Sequence, residues 1–248
     1  MKKNRIVSAA AIVAVGLLAA LASAHATADP KDLSPANRAL FTTAHLASIK
    51  QPTVLMYDFE KKGSLEAPFT DTVEADITNV DGDGRKDLSF HFLNGEHHME
   101  FRDFQAYAGN PIFMLFLERD VREMERLTRG HSLYYRTLIR NALAGSATVT
   151  PTTFTFGGKT LKGMEIRVQP YADDPRNVNY PRFAKKTYSF ILSDEIPGGF
   201  YKIDSMTPDP SGTQPLIDET ITFNGMRPPE TKHATSNGAR DAVADKAK

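Results

Sequence analysis

Alternation of apolar and polar residues runs through most of this chain and predicts antiparallel β-strands. In residues 69–78, Phe69, Val73, Ala75 and Ile77 alternate with polar side chains, which is typical of a strand with one buried face and one solvated face. Further strands are predicted at 53–60, 148–156, 159–170, 185–193, 200–206 and 216–224. Together with a hairpin around Asn94-Gly95, the pattern predicts about eight to ten strands.

The dipeptide Asn94-Gly95 predicts a two-residue hairpin turn, because both residues tolerate positive φ. Such a turn places Phe92 opposite His97 and His91 opposite His98. The apolar side chains of this hairpin then share one face: Leu88, Phe90, Phe92, Met99 and Phe101. The other face is polar, so the hairpin is expected to have one side against a core and one side in water.

Three helices are predicted at 34–49, 112–129 and 132–144. Ser34-Pro35 and Asn110-Pro111 resemble helix starts, in which a capping side chain precedes a proline. The segment Ile112–Leu117 is apolar on all sides, so it is either ordinary core or a plug over a cavity. Helices segregated from an antiparallel sheet predict an α+β domain over residues 29–226 with an N-terminal helix and a central helix pair.

The N-terminus has the pattern of a secretory signal peptide. Lys2, Lys3 and Arg5 precede an apolar stretch at 6–21, and small residues follow it. Cleavage is expected before Asp29, and no cysteine follows the apolar stretch, so no lipid anchor is expected. No later segment has enough consecutive apolar residues for a membrane helix. The chain is therefore predicted to be periplasmic or secreted, with a polar, disordered tail at 227–248.

Composition restricts the classes of partner. The chain has 30 basic and 30 acidic residues, and loss of residues 1–28 removes three basic ones, which leaves 27 against 30. That balance disfavours a nucleic-acid partner, which would select a clustered basic surface. There is no cysteine, so an exported chain of this kind has no disulfide framework and must be stabilised by its core.

An acidic loop between two predicted strands is a candidate calcium site. Its carboxylates and amide stand at positions 1, 3, 5 and 9, with Gly84 at position 6: Asn79, Asp81, Asp83 and Asp87. Calcium prefers several oxygen ligands on a flexible loop with a glycine at the bend. The loop is similar to the calcium loops of integrin-type propeller repeats, although Phe90 stands where an EF-hand has glutamate. The alternative is a turn that uses aspartate and glycine for its geometry.

A second candidate metal site lies on the polar face of the hairpin. Directly opposed side chains are about 5 Å apart at Cβ, close enough for His91 and His98 to share a zinc or copper ion. Glu100 lies two residues from His98 and is the candidate third ligand. The alternative is a polar ladder of side chains in water.

Catalytic chemistry has little support in the sequence. There is no Gly-x-Ser-x-Gly, no His-Glu-x-x-His and no cysteine nucleophile. Arginines 119, 122, 126, 129, 136 and 140 could form an anion site, but glutamates four residues away favour a solvated helix face. A non-enzymatic protein is therefore the expectation.

The order of these elements resembles the periplasmic lipoprotein-carrier half-barrel proteins. A signal peptide, a leading helix, long antiparallel hairpins and an inserted helical segment are spread over about residues 35–225. This resemblance implies a strongly curved sheet around an apolar cavity plugged by helices, and a lipid-like or other apolar ligand. The predicted ligand contacts are Phe90, Phe92, Met99, Phe101, Phe113 and Phe116. The alternatives are a metal-dependent envelope protein at His91 and His98, and an envelope interaction module with a calcium loop.

Overall fold

The computed structural model describes residues 33–229, and its centre is one open, curved antiparallel sheet. The strands are β1 (Thr53–Lys62), β2 (Phe69–Val80), β3 (Lys86–Phe92), β4 (Phe104–Tyr107), β5 (Thr148–Phe156), β6 (Lys159–Val168), β7 (Thr187–Leu192), β8 (Phe200–Thr207) and β9 (Ile217–Arg227). Their order across the sheet is β4-β3-β2-β1-β9-β8-β7-β6-β5. The predicted α+β class and curved antiparallel sheet are confirmed.

The first and last of these strands meet in the middle of the sheet. β1 pairs with β9 from Val54↔Arg227 to Lys62↔Asp218, and Lys61 lies beside Glu219. Odd-numbered residues of both strands point to the side that the helices cover, as the alternation of burial along β1 and β9 shows. The two meanders, β1–β4 and β5–β9, are therefore joined along one central pair.

Three α-helices accompany the sheet: α1 (Pro35–Phe41), α2 (Ile112–Thr128) and α3 (Ser132–Gly145). α2 packs directly on the sheet, since the Phe113 ring lies 4.9 Å from that of Phe200 and 6.1 Å from that of Phe190. The central helix pair is confirmed. Gly130 separates the two helices, and α2 ends with Arg129 in the left-handed conformation.

The N-terminal helix is shorter than predicted. It ends at Phe41, eight residues before the predicted end, because the chain turns at Thr42 and Thr43. Both hydroxyls donate hydrogen bonds to the carbonyl of Arg38, which satisfies a helix-terminal acceptor locally. His45 then packs under the end of the helix, with Nε2 2.8 Å from the carbonyl oxygen of Ala39.

The predicted register of the Asn94-Gly95 hairpin is wrong. Asn94 is extended, with φ −118° and ψ 166°, and Gly95–His97 form a short 3₁₀ turn. Leu93 has the positive φ instead. Asn94 is held in the extended form because its backbone N–H donates to the Asp71 carboxylate on β2 and its side chain bonds there as well.

As a result Phe92 pairs with Met99, by a single bridge, rather than with His97. The strand that pairs with β3 on this side comes later in the chain: it is β4, where Phe104 lies beside Leu88. The long second strand predicted from residue 96 is therefore absent from the described part of the chain, and a short edge strand replaces it.

The predicted signal peptide at 1–28 lies outside the described residues, as does the predicted tail beyond residue 229. Within residues 33–229, no helix combines the length and the apolar composition that crossing a membrane would require.

Candidate functional site

An open apolar groove runs between the three helices. Its volume is about 500 Å³. Each of the two long helices contributes one stripe at spacing i, i+3, i+4 and i+7, so the side chains of each stripe lie on one helix face. The groove is lined by Leu33, Asn37, Phe41, Met114, Leu117, Glu118, Val121, Arg136, Ile139, Arg140 and Leu143.

The ends of the groove are fixed by polar contacts. Arg136 forms a two-oxygen ion pair with Glu118, at 2.8 and 3.0 Å, which ties α3 to α2. The Ser34 hydroxyl donates to the Leu143 carbonyl at 2.7 Å and accepts from the Asn37 N–H, which anchors α1 against the end of α3. These contacts hold three helices around a space that no described side chain fills.

One cation at the groove has no counter-charge. Arg140 is exposed and has no ion-pair or hydrogen-bond partner among residues 33–229. An arginine guanidinium presents five N–H donors in a fork that matches a carboxylate or phosphate. The groove thus combines an apolar floor with one unpaired positive group at its edge.

The aromatic residues predicted to contact a ligand lie in packed core. Phe92, Phe113 and Phe116 are completely buried. Phe90, Met99 and Phe101 are half-buried, and Phe101 packs edge-on against Phe92. Phe113 of α2 packs directly on the sheet. The space between α2 and the sheet, where the ligand cavity was predicted, is therefore filled by these side chains. Their role as ligand contacts remains a prediction.

Three of the four side chains predicted to bind calcium form hydrogen bonds within the protein: Asn79, Asp81 and Asp87. Asp81 Oδ1 accepts hydrogen bonds from the backbone N–H groups of Asp83 and Arg85, at 3.0 and 2.7 Å. Asp87 accepts from the Asn79 amide and from the Ala106 N–H, and these two bonds lower the pKa of its carboxyl.

The two opposed histidines do approach each other. The rings of His91 and His98 have centroids 5.4 Å apart. Each already has a partner: His91 Nε2 is 2.7 Å from the Asn94 side-chain oxygen, and His98 Nδ1 is 3.1 Å from the Leu93 carbonyl. Among residues 33–229 there is no group of three or more His, Asp or Glu side chains arranged to hold a metal ion. A zinc or copper site at His91, His98 and Glu100 remains a prediction.

A chain of buried ion pairs crosses the interface between α2 and the centre of the sheet. Arg119, which was expected on a solvated face, is buried and bonds Glu219 of β9 at 2.5 Å. Lys61 of β1 lies 3.3 Å from the other oxygen of Glu219 and 2.6 Å from Glu66. Burial alone would raise the pKa of Glu219, but the surrounding cations Arg119, Lys186 and Lys61 lower it overall.

A second buried cluster surrounds Asp120, the next residue of α2. Its carboxylate accepts hydrogen bonds from Lys186 and Tyr188 of the β7 region, and from Ser205 of β8 at 3.1 Å. All four residues are essentially inaccessible to solvent. The hydrogen bonds of this buried cluster hold α2 to the sheet.

One further cavity, of about 360 Å³, brings together His45, Ser193 and Asp194. The three residue types are those of a hydrolytic triad, but the geometry is different. His45 Nε2 bonds the Ala39 carbonyl, and Nδ1 accepts from the Asn110 backbone N–H at 3.4 Å. The Ser193 hydroxyl donates to the Lys162 carbonyl. With both ring nitrogens bonded to backbone, His45 cannot act as a base for Ser193.

Stability is expected to decrease in mild acid because of His45. Burial lowers its pKa, and this outweighs the Ala39 carbonyl and the Asp194 carboxylate, which act in the opposite direction. The folded state therefore binds this proton less readily than the unfolded chain, in which the pKa is about 6.5. The contribution of neutral His45 to the free energy of unfolding is complete above the unfolded-state pKa. It is lost as the pH falls through that value toward the folded-state pKa.

Urea unfolding at about pH 7.5 and about pH 5.5 measures this effect. The unaltered chain should lose more free energy of unfolding between the two pH values than His45→Asn does. Leu133→Gln changes an exposed side chain that does not titrate and should retain the full loss. Equal losses in all three proteins would show that another group titrates.

Comparisons with known proteins add little to this geometry. The sequence matches no protein-family model and none of the curated proteins compared with it. Among solved structures, it is similar to a LolA superfamily protein from Nitrosomonas europaea, at 6% identity over 79% of this chain and 94% of that protein, with a TM-score of 0.22.

Proposed function

We propose that this chain is an exported, non-enzymatic binding protein for a single-chain amphiphile, an aliphatic chain that ends in a carboxylate. The observation that supports this is the open groove of about 500 Å³ between α1, α2 and α3. Ligand sites of small molecules are commonly apolar clefts of about 300–1,000 Å³ with a few polar groups. The periplasmic or secreted location rests on the N-terminal pattern at 1–28.

The apolar part of the ligand is expected to replace water along the groove floor. Each methylene that leaves water contributes about 0.8 kcal/mol, so a medium-length chain gains enough to bind well below millimolar concentration. Met114 and Leu117 are only half-buried, which leaves apolar surface for the ligand to cover. The groove also accepts a ligand without separating α2 from the sheet, unlike the packed site around Phe113.

The carboxylate end is expected at Arg140. Its guanidinium is the unpaired cation at the groove, whereas Arg136 is already bound to Glu118 by both oxygens. An ion pair at an exposed arginine contributes up to about 1 kcal/mol. Ligands with the same chain but an uncharged end should therefore bind more weakly.

Fluorescence titration with cis-parinaric acid tests the apolar part of the site. Leu117→Gln places an amide in the groove floor and should weaken binding by about tenfold or more, since burial of one leucine is worth about 1.5–3 kcal/mol. Leu133→Gln is the matched control: Leu133 lies on α3, is 60% exposed and does not line the groove. It should bind the probe like the unaltered chain.

The head-group contact is tested by Arg140→Gln against Arg122→Gln. Arg122 is a half-exposed arginine of α2 outside the groove. Only Arg140→Gln should lower the affinity for the acid, and it should leave the affinity for the corresponding methyl ester unchanged. No binding by the unaltered chain would overturn the proposal. If binding appears only when residues before 33 are removed, the native occupant of the groove is the chain's own N-terminal segment.

A further inference from the structure

A second cavity, of about 540 Å³, shares no lining residue with the groove between the helices. Its walls come from the end of β1, the start of β2, the turn after β3, and one face of α2. The side chains that bear on its chemistry are Lys61, Phe69, Glu96, His97, Arg119 and Glu123. Sites for small molecules commonly have volumes of about 300–1,000 Å³. A ligand in this cavity would be independent of the amphiphile proposed for the groove.

The cations around this cavity are already paired. Each has a carboxylate partner at 2.5–2.6 Å: Arg119 with Glu219, Lys61 with Glu66, and Arg126 with Glu123. Glu96 is exposed and has no ion-pair or hydrogen-bond partner among residues 33–229. An anion would therefore find no free cation, and a cation would find only an exposed carboxylate, which contributes little in water. The charge pattern favours a ligand without net charge.

The paired groups still have unused hydrogen-bonding positions. Arg119 is 5% exposed and donates one N–H group to Glu219, and its other N–H groups have no hydrogen-bond partner among the described residues. Buried donors are normally satisfied. Glu123 accepts both hydrogen bonds from Arg126 on Oε2, which leaves Oε1 without a partner in the same part of the chain. A hydroxyl group both donates and accepts, so it matches Arg119 as well as Glu123.

One wall of the cavity is a stack of rings. The Arg119 guanidinium lies 4.8 Å over Phe59, and Phe59 stacks on Phe69 at 5.4 Å. His97 continues the stack on Phe69, with centroids 3.9 Å apart and planes 9° from parallel. His97 is exposed, so the ring face that points away from Phe69 is open to a ligand. The face of an aromatic ring is electron-rich, and it attracts the weakly positive C–H groups of a saturated ring that carries oxygen substituents.

We propose that this cavity binds a neutral saccharide, with one face of a pyranose ring on His97 and its hydroxyl groups on Arg119 and Glu123. An apolar ring would stack on His97 but would leave the buried Arg119 donors without an acceptor. A charged sugar would add a charge that has no buried counter-charge in the cavity. A neutral ring that carries several hydroxyl groups satisfies the stack, the unused donors and the unused acceptor together.

Titration of the intact protein, followed by NMR on the Ala67 amide, tests the proposal, since Ala67 lines the cavity and is changed in none of the variants. The neutral probes are methyl β-glucoside, methyl β-galactoside and N-acetylglucosamine. The controls are glucuronate and glucosamine, which each carry one charge, and phenol, a ring with a single hydroxyl group. At about 20 mM, a complex with a dissociation constant of about 1 mM is almost fully formed. At least one neutral sugar should give saturable shifts, and each control should bind more weakly.

Variants of the exposed imidazole test the stacking contact. His97→Ala removes the outer ring of the stack and should weaken binding of the neutral sugar by about threefold or more. His97→Phe keeps a ring on Phe69 and should bind like the unaltered chain. His98→Ala is the matched control, because His98 is the neighbouring exposed imidazole and does not line the cavity. Equal binding by His97→Ala and His98→Ala would contradict the stacking contact.

Two further variants separate hydrogen bonding from charge. Arg119→Lys keeps a cation beside Glu219 but loses the guanidinium fork, and it should weaken binding of the neutral sugar by about tenfold. Glu96→Gln removes a charge at the exposed position and should change that binding by less than about twofold. Absence of saturable shifts with all three neutral sugars would overturn the proposal. Binding of glucuronate, glucosamine or phenol as tightly as the neutral sugar would overturn it as well.

Discussion

Asp120→Ala is expected to lower the free energy of unfolding by about 3–5 kcal/mol, the usual cost of leaving a buried charge without its partner. Asp120 is completely buried and accepts hydrogen bonds from Lys186, Tyr188 and Ser205. Without the carboxylate, the Lys186 ammonium stays in the core and loses the only carboxylate to which it donates a hydrogen bond among the described residues. Because total stabilities are about 5–15 kcal/mol, this single change removes a large fraction.

Urea unfolding measures this loss, and a double variant identifies its cause. Asp120→Ala/Lys186→Met removes both charges and should recover much of the stability, because an apolar replacement of a buried pair is often nearly neutral. Asp173→Ala removes an exposed carboxylate and should change stability by less than about 0.5 kcal/mol. If the double variant were less stable than Asp120→Ala, the unpaired lysine would not be the cause.

Gly63→Ala is expected to cost about 3 kcal/mol or more. Gly63 follows β1 with φ +132°, and a Cβ there would lie 2.2 Å from the backbone oxygen of Leu216. Strained backbone of this kind costs about 1–3 kcal/mol. The neighbouring bonds from the N–H groups of Ser64 and Leu65 to the carbonyls of Pro215 and Leu216 would also be disturbed, at about 1 kcal/mol each.

Gly84→Ala is the matched control for the conformational part of that cost. Gly84 also has a positive φ, +77°, but a Cβ there meets nothing within 4 Å. Gly84→Ala should lower the free energy of unfolding by about 1 kcal/mol, because only the unfavourable φ contributes. Thermal and urea unfolding of the two variants should therefore differ by about 2 kcal/mol. Equal losses would mean that the Leu216 backbone moves away at little cost.

Local pattern was sufficient for most elements of this fold. Alternation located the strands to within a few residues, because side chains on a half-buried sheet must alternate. It failed at Asn94, where a side chain from another strand decides the turn: the Asp71 carboxylate lies 23 residues away in sequence. Apolar periodicity also placed the end of α1 too late, since two threonine hydroxyls terminate the helix at Phe41.

The groove between the three helices could have been predicted from the sequence, whereas the buried ion pairs could not. Met114, Leu117 and Val121 on α2, and Ile139 and Leu143 on α3, repeat at helical spacing. The continuous apolar segment 112–117 obscures that stripe in the sequence. By contrast, Arg119 and Glu219 are 100 residues apart. In the sequence, each of these residues has charged neighbours typical of a solvated surface. Only the packing of α2 on the central strands brings the two side chains together.

The pairing of β1 with β9 has a consequence for how the molecule is assembled. The central pair of the sheet joins residues about 160 positions apart, and contacts of long sequence separation form slowly because a large loop must close first. The β1–β4 meander can form as soon as it is synthesised, but its Lys61 has no Glu219 until the last strand is complete. Closure of the sheet is therefore tied to completion of the chain. A product truncated before β9 would expose the open edge of β1 and would leave Arg119 without its Glu219 partner.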